Sequence, residues 1–106
     1  TFLLAQGREV GASLVERDLV DKANALLLSA SEQGVNLLLP VDVVVASSMD
    51  GEPRTAAVEH VSADQAIFDI GAATARHYGE RLAGAETIFW NGPMGVFERP
   101  AFAEGT

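Results

Sequence analysis

Apolar residues recur along this chain at two spacings, one typical of helices and the other typical of strands. Between residues 14 and 33 they recur every three or four positions, which predicts an amphipathic helix that ends at Gly34. Ser13 and Glu16 have the spacing of a capping box, which would cap this helix. The same spacing predicts a second helix over 73–83. We expect the first helix to pack one face against a sheet.

Four apolar runs predict strands. Residues 35–46 are apolar almost throughout, as in a strand covered on both faces, and Pro40 predicts a bend there. Shorter strands are expected at 55–59, 67–70 and 87–91. The last two strands flank the second helix and have the length of a parallel, right-handed crossover. The fold class predicted is α/β, a partial doubly wound and mostly parallel sheet flanked by helices.

Two glycine-bearing turns follow the last two predicted strands. Gly71 ends one strand, and the segment Asn91–Glu98 follows the other. Because ligands bind at the carboxyl ends of parallel strands, we expect both turns to face one crevice. Gly92, Pro93 and Gly95 would make a stiff loop suited to holding a ligand. A tight strand-to-helix connection without a ligand is the alternative.

The amino-acid composition argues against several kinds of partner and binding site. The chain has 106 residues and a formal net charge of −8, with no basic run, so nucleic acid and anionic membranes are poor partners. It has no cysteine, which excludes disulfides and thiolate metal sites and fits a cytoplasmic protein. Its apolar runs are too short to span a bilayer. We expect one small, partial domain over 1–106.

One apolar run carries an unexpected carboxylate, Asp42. An unpaired buried charge is costly, so Asp42 must be hydrogen-bonded or lie at the edge of its strand. A metal or ligand contact is the alternative role for this residue.

Six segments together resemble one family. FWNGPMGVFE is similar to the WNGPxGVFE signature of phosphoglycerate kinase, and TFLLAQG, VGASLVERDL, LLLPVDVVVA, FDIG and AFAEGT resemble its other motifs in the same order. The resemblance covers nearly the whole chain. It implies an internal fragment of the C-terminal, nucleotide-binding domain. The family's N-terminal lobe, lysine-bearing GGAKVxDK segment and glycine-rich phosphate loop have no counterpart here.

The resemblance also implies a reaction. Phosphoglycerate kinase moves a phosphoryl group between 1,3-bisphosphoglycerate and ADP, giving 3-phosphoglycerate and ATP. ATP or ADP with Mg is therefore the expected cofactor, with metal ligands outside this chain, and 3-phosphoglycerate is expected on the N-terminal domain. The parent enzyme is expected to be monomeric and the fragment inactive. We assign no catalytic residue and no metal ligand to this chain.

The resemblance assigns five residues to the nucleotide. Glu98 stands where the family's glutamate contacts the ribose, and a carboxylate can accept hydrogen bonds from two neighbouring hydroxyls. Pro93 and Val96 stand where the family's residues flank the adenosine. Gly71 stands where the backbone passes close to the adenine. Asn91 has two open roles, contacting the ribose or tying down the turn.

Each assignment has an alternative from the residues alone. Glu98 could be a solvated loop residue paired with Arg99, and Gly71 could be a glycine that only starts a helix. Trp90 is expected in the core rather than stacked on a ligand. For the whole chain, the alternative is an inert structural remnant that binds no nucleotide and self-associates through exposed apolar faces.

Overall fold

The computed structural model describes all 106 residues as a small α/β unit. The helices are α1 (Phe2–Ala5), α2 (Val20–Glu32) and α3 (Ala72–Leu82), and the strands are β1 (Asp42–Ala46), β2 (Arg54–Ala57) and β3 (Ala66–Ile70). Two 3₁₀ turns, Arg17–Leu19 and Pro100–Phe102, complete the regular structure. None of the helices combines the length and the apolar composition needed to cross a membrane.

The three strands form one sheet with β1 in the centre, in the order β2-β1-β3. Val43 of β1 lies opposite Ala56 of β2 on one side and Ile70 of β3 on the other, and both pairs run antiparallel. The α/β class is therefore confirmed, but these three strands do not form the mostly parallel sheet that was expected. The turn at 47–53 that joins β1 and β2 is short enough to permit only an antiparallel pair, and β3 also pairs antiparallel with β1.

One expected strand is absent, and another is shorter than expected. Residues 87–91 form no strand, and of the predicted run 35–46 only Asp42–Ala46 does. A strand exists only where a second backbone completes its ladder, and neither 35–41 nor 87–91 has such a partner. Pro40 also lacks the N–H that a ladder requires. The parallel crossover expected over 67–91 is consequently not formed.

The core lies on one face of the sheet. Val43 and Val45 are fully buried and cluster with Ala56, Val58 and Val61. Leu3 of α1 and Ile67 of β3 pack against this cluster. Because side chains alternate along a strand, Asp42 faces the other side of β1, where it contacts α3. Helices α1 and α3 therefore lie against opposite faces of β1.

The expected capping box is wrong. The Ser13 hydroxyl accepts a hydrogen bond from the Ile67 N–H at 2.9 Å, and the Glu16 N–H donates to the Thr1 hydroxyl at 3.1 Å. Both groups serve tertiary contacts, so α2 begins only at Val20. Its expected end is confirmed, because Gly34 follows with a φ of 67°, which favours glycine.

Candidate functional site

A buried carboxylate marks the end of β3. Asp69 is only 1% exposed. One of its oxygens accepts a hydrogen bond from the Ile70 N–H and the other accepts one from the Gly105 N–H, each at 2.8 Å. Asp69 was not among the residues predicted to have a role. The signal was available, because Asp69 is a carboxylate within an apolar run, as Asp42 is.

The loop after the predicted last strand is anchored to β3. The register between β1 and β3 shifts by one residue, because Val44 lies opposite Asp69 whereas Val45 lies opposite Ile67. Phe68 is thereby left without a partner on β1. Its carbonyl accepts a hydrogen bond from the Val96 N–H at 2.9 Å. The register shift thus holds the loop beside the end of β3.

The Phe68 side chain adds an apolar contact at the same place. Its ring lies with its centroid 5.0 Å from that of Phe102, at an interplanar angle of 38°. Phe102 is fully buried. The short turn Pro100–Phe102 is therefore packed onto β3, just after the loop that Val96 anchors.

Glycines allow the loop to approach Asp69. A Cβ atom at Gly95 would collide with the Asp69 carboxylate and with the Phe102 carbonyl oxygen, and one at Gly105 would collide with the same carboxylate. Gly92 has a φ of 80°, in the left-handed region that side chains disfavour. Three glycines of this segment are thus required by geometry, one for its backbone conformation and two for close packing.

The turn at Gly71 is held by Asp42. The Gly71 N–H donates to the main-chain oxygen of Asp42 at 2.9 Å. The Asp42 carboxylate accepts hydrogen bonds from the Ala73 and Thr74 N–H groups at 3.1 and 2.7 Å. A Cβ atom at Gly71 would collide with this carboxylate. The expectation that Asp42 is hydrogen-bonded is confirmed, and its contacts here are structural.

Two side chains near this turn have shifted pKa values. Partial burial acts to raise the pKa of Asp42, but the hydroxyl of Thr74 and the N–H groups of Thr74 and Ala73 stabilise its charged form, and the net shift is downward. Burial raises the pKa of Tyr78, whose hydroxyl donates to the Leu38 carbonyl at 3.3 Å.

A largely apolar cleft of about 590 Å³ opens beside these turns. Its walls are Asn36, Leu38, Ile70, Ala75, Tyr78, Gly79, Arg81, Leu82, Ile88, Phe89, Trp90, Asn91, Met94 and Gly105. The expectation that Trp90 lies in the core is wrong, because its side chain lines the cleft and is 52% exposed. Without strand partners, residues 87–91 do not enter a core and form a cleft wall.

The structure places the loop 91–98 against Phe68 and Asp69, two to three residues before Gly71, although not by the parallel pairing expected. Gly71 is buried, and Val96 is partly buried. Asn91, Pro93 and Glu98 are exposed, and only Asn91 of the five predicted residues lines the cleft itself.

Glu98 has no partner within the chain. Arg99 forms an ion pair with Asp50, at 3.0 Å between side-chain nitrogen and oxygen, rather than with Glu98. The Glu98 carboxylate therefore retains all of its hydrogen-bond acceptor capacity.

The acidic residues do not form a metal centre. No three histidine, aspartate or glutamate side chains converge in a way that could hold a metal ion. The carboxylates of Asp42 and Asp69 accept hydrogen bonds from main-chain N–H groups instead.

Comparison with known proteins identifies the family. The family model of phosphoglycerate kinase matches residues 1–106. Phosphoglycerate kinases of Roseiflexus castenholzii and Desulfosudis oleivorans are 50% and 45% identical over 108 residues. Each alignment covers 100% of this chain but 27% of the relative, so the chain spans about a quarter of the length of these relatives.

Solved structures agree with the sequence matches. Phosphoglycerate kinase from Coxiella burnetii superposes with a TM-score of 0.96 at 44% identity, covering 99% of this chain and 28% of that one. The enzyme from Pyrococcus horikoshii gives a TM-score of 0.79 at 35% identity, covering 99% and 27%. Because the family model matches the whole chain, this chain belongs to the phosphoglycerate kinase family.

Proposed function

We propose that this chain is part of the nucleotide-binding domain of a phosphoglycerate kinase and supplies the adenosine side of its ADP and ATP site. The reaction of that enzyme is phosphoryl transfer between 1,3-bisphosphoglycerate and ADP. Family membership supports the reaction. The geometry at the end of β3 supports the site.

The observation that carries the proposal is the packing of the glycine-bearing loop against the end of β3. Val96 is hydrogen-bonded to Phe68, and Gly95 packs against Asp69, two residues before Gly71. The loop from Asn91 to Glu98 therefore lies beside the part of β3 that leads into the turn at Gly71. A flat base can pack against backbone and small apolar side chains of this kind.

Each proposed residue has a role that fits its environment. Glu98 is exposed and unpaired, so its carboxylate can accept hydrogen bonds from both ribose hydroxyls. Pro93 and Val96 offer apolar surface to the adenosine. Gly71 lets the backbone pass close to the base, and Asn91, at the edge of the cleft, contacts the ribose or stabilises the turn.

The role in catalysis is binding and orientation. Phosphoryl transfer depends mainly on positioning and on neutralising phosphate charge, and this chain carries a net charge of −8. Mg²⁺, when bound with the nucleotide, supplies part of that neutralisation. The proposed contribution of this chain is to hold the nucleoside end and leave the phosphates to cationic groups of the rest of the enzyme.

An ADP titration followed by the fluorescence of Trp90 tests the proposal, because Trp90 is the only tryptophan and lies beside the loop. We expect saturable binding that weakens at least about fivefold in Glu98→Ala, as for loss of a charged hydrogen bond. Glu52→Ala, at an exposed turn residue without a side-chain contact, is the matched control.

A second nucleotide makes the test specific for the ribose. 2′,3′-Dideoxy-ADP lacks the two hydroxyls, so Glu98→Ala should not weaken its binding further. Equal effects of Glu98→Ala on ADP and on the dideoxy analogue would contradict the assigned role of Glu98. No response to millimolar ADP would contradict nucleotide binding by this chain.

Exposed apolar side chains favour a second candidate, a nucleotide-free chain that associates with itself. Phe89 is 91% exposed, Leu28 62% and Ile88 54%. Where such side chains form one patch, a partner tends to cover it. Sedimentation velocity with and without ADP separates the candidates: a monomer that binds ADP supports the first, and an oligomer indifferent to ADP supports the second.

A further inference from the structure

We propose that Asp69 is a positioning residue for the nucleotide loop, which it holds at the end of β3 without itself reaching the ligand. This inference rests on the proposed function for its effect on ADP, but its structural part stands on contacts within the chain. Asp69 is 1% exposed, so it cannot contact a nucleotide on the surface.

Both carboxylate oxygens of Asp69 accept hydrogen bonds. One accepts the Ile70 N–H, which belongs to Asp69's own strand, and the other accepts the Gly105 N–H from the end of the chain. Both distances are 2.8 Å. Ile70 and Gly105 line the cleft. Asp69 therefore lies directly behind the cleft wall and joins two parts of it.

The loop also packs tightly against the Asp69 side chain. Gly95 packs so closely against the Asp69 carboxylate that a Cβ atom at Gly95 would overlap it. Gly95 is the middle of the loop, between Met94, which lines the cleft, and Val96, which is bonded to Phe68. The loop therefore packs directly on the Asp69 carboxylate.

A second connection joins the same segments. The Met94 N–H donates to the Thr106 hydroxyl at 3.1 Å. Thr106 follows Gly105 directly, so the hydrogen bond from Gly105 to Asp69 also places the acceptor for Met94. Asp69 controls the loop both by direct packing and through this short segment.

Loss of one carboxylate oxygen should therefore displace the loop and the residues it presents. In Asp69→Asn the side chain keeps its volume, but its amide nitrogen must face one of the two N–H donors. A buried N–H without an acceptor is costly, and the cheapest relief is movement of the Gly105 segment away from β3. Glu98 and Val96 would then no longer be held in one geometry for the nucleotide.

The experiment measures hydrogen exchange and ADP affinity on the 106-residue chain. Wild type is compared with Asp69→Asn and with Asp64→Asn, a control at an exposed aspartate whose side chain forms no hydrogen bond or ion pair. We expect exchange at the Val96 and Met94 amides to accelerate about tenfold or more in Asp69→Asn, as for release of a buried hydrogen bond. Exchange at the Val58 amide, which is bonded to Val41 far from the loop, should change much less.

ADP affinity is measured below the unfolding transition of each variant. We expect it to fall about tenfold in Asp69→Asn, since loss of one buried hydrogen bond is of that size, and not in Asp64→Asn. Equal acceleration at Val96 and Val58, or unchanged ADP affinity in a folded Asp69→Asn, would overturn the proposal, because a general stabilising role predicts those results.

Two further outcomes are distinguishable. If wild type binds no ADP, the proposed function fails, and exchange at Val96 alone decides whether Asp69 positions the loop.

If Asp69→Asn does not fold, Thr106→Val removes the exposed second connection instead. It should accelerate exchange at Met94 and weaken ADP binding about threefold, the scale of a partly exposed hydrogen bond. No change in either measurement would overturn the proposal.

Discussion

The Asp42 carboxylate and the Thr74 hydroxyl lie 2.6 Å apart, although 32 residues separate them in the chain. The same carboxylate oxygen accepts the Thr74 N–H at 2.7 Å. The Thr74 oxygen in turn accepts the N–H groups of Val41 and Asp42. This reciprocal set joins the start of β1 to the first turn of α3 and fixes the turn at Gly71 between them.

Thr74→Val should destabilise the fold. Valine keeps the shape of threonine but leaves the Val41 and Asp42 N–H groups without their acceptor and removes the hydroxyl donor to the carboxylate. Because Thr74 is 1% exposed, water cannot fully replace these bonds, and we expect a loss of about 2 kcal/mol in the free energy of unfolding. Urea denaturation measures it.

Thr55→Val is the matched control for that substitution. Thr55 is exposed on β2, and its hydroxyl makes no hydrogen bond within the chain. We expect its stability to stay within about 0.5 kcal/mol of wild type, as for most surface substitutions. A loss at Thr74 no larger than that at Thr55 would contradict the structural role of the Asp42–Thr74 pair.

The lowered pKa of Asp42 predicts a dependence of stability on pH. The folded value lies below the ordinary value of 3.8, so the folded chain favours the charged carboxylate. Its contribution to stability is complete above pH 3.8 and is lost as the pH falls through the lowered folded pKa. Unfolding midpoints in urea between pH 6 and pH 2.5 should show this loss.

Asp42→Asn should remove that part of the pH dependence, because the amide does not titrate. Asp64→Asn, at an exposed residue, should retain the wild-type profile. Identical acid profiles for wild type and Asp42→Asn would mean that other carboxylates account for the whole effect.

Gly11 and Gly7 have similar backbone conformations but differ in how closely they are packed. Both have a positive φ, 57° and 76°, so alanine at either is strained by about 1–2 kcal/mol. A Cβ atom at Gly11 would also collide with the carbonyl oxygens of Gln65 and Ser62, whereas Gly7 faces open space. We expect Gly11→Ala to lower the unfolding free energy clearly more than Gly7→Ala. Thermal denaturation that ranks the two equally would contradict this packing of Gly11.

Phe102 is buried and Phe89 is exposed, so replacing each with alanine should have a different effect. Phe102 is fully buried against Phe68, so Phe102→Ala should cost about 3–5 kcal/mol and release the end of the chain from β3. Phe89 is 91% exposed, and Phe89→Ala should leave stability nearly unchanged while reducing any self-association. Calorimetry and sedimentation measure the two effects. A larger loss of stability at Phe89 than at Phe102 would overturn these assignments.

The elements that depend on local signals were predicted well. Helix α3 was expected over 73–83 and spans Ala72–Leu82, and β3 was expected over 67–70 and spans Ala66–Ile70. The helix end at Gly34 was also expected, and this glycine has a positive φ. Periodicity and glycine act within a few residues, so the sequence carries them directly.

The wrong predictions concern residues whose hydrogen-bond partners are distant in the sequence or absent from this chain. Ser13 and Glu16 fit a local capping box, but Ser13 bonds Ile67 and Glu16 bonds Thr1. Residues 87–91 have the composition of a strand, but no backbone in this chain pairs with them. Spacing alone cannot show which of two possible partners a polar group meets.

By itself the sequence determined the family, the α/β class and the segments that bear the candidate nucleotide residues, because these follow from ordered motifs and short-range periodicity. Only the tertiary structure decided the antiparallel pairing of β3 with β1, the register shift that frees Phe68, and the use of Asp42 and Asp69 as acceptors for distant N–H groups. A buried carboxylate must find hydrogen-bond donors, but which donors it finds depends on how the whole chain packs.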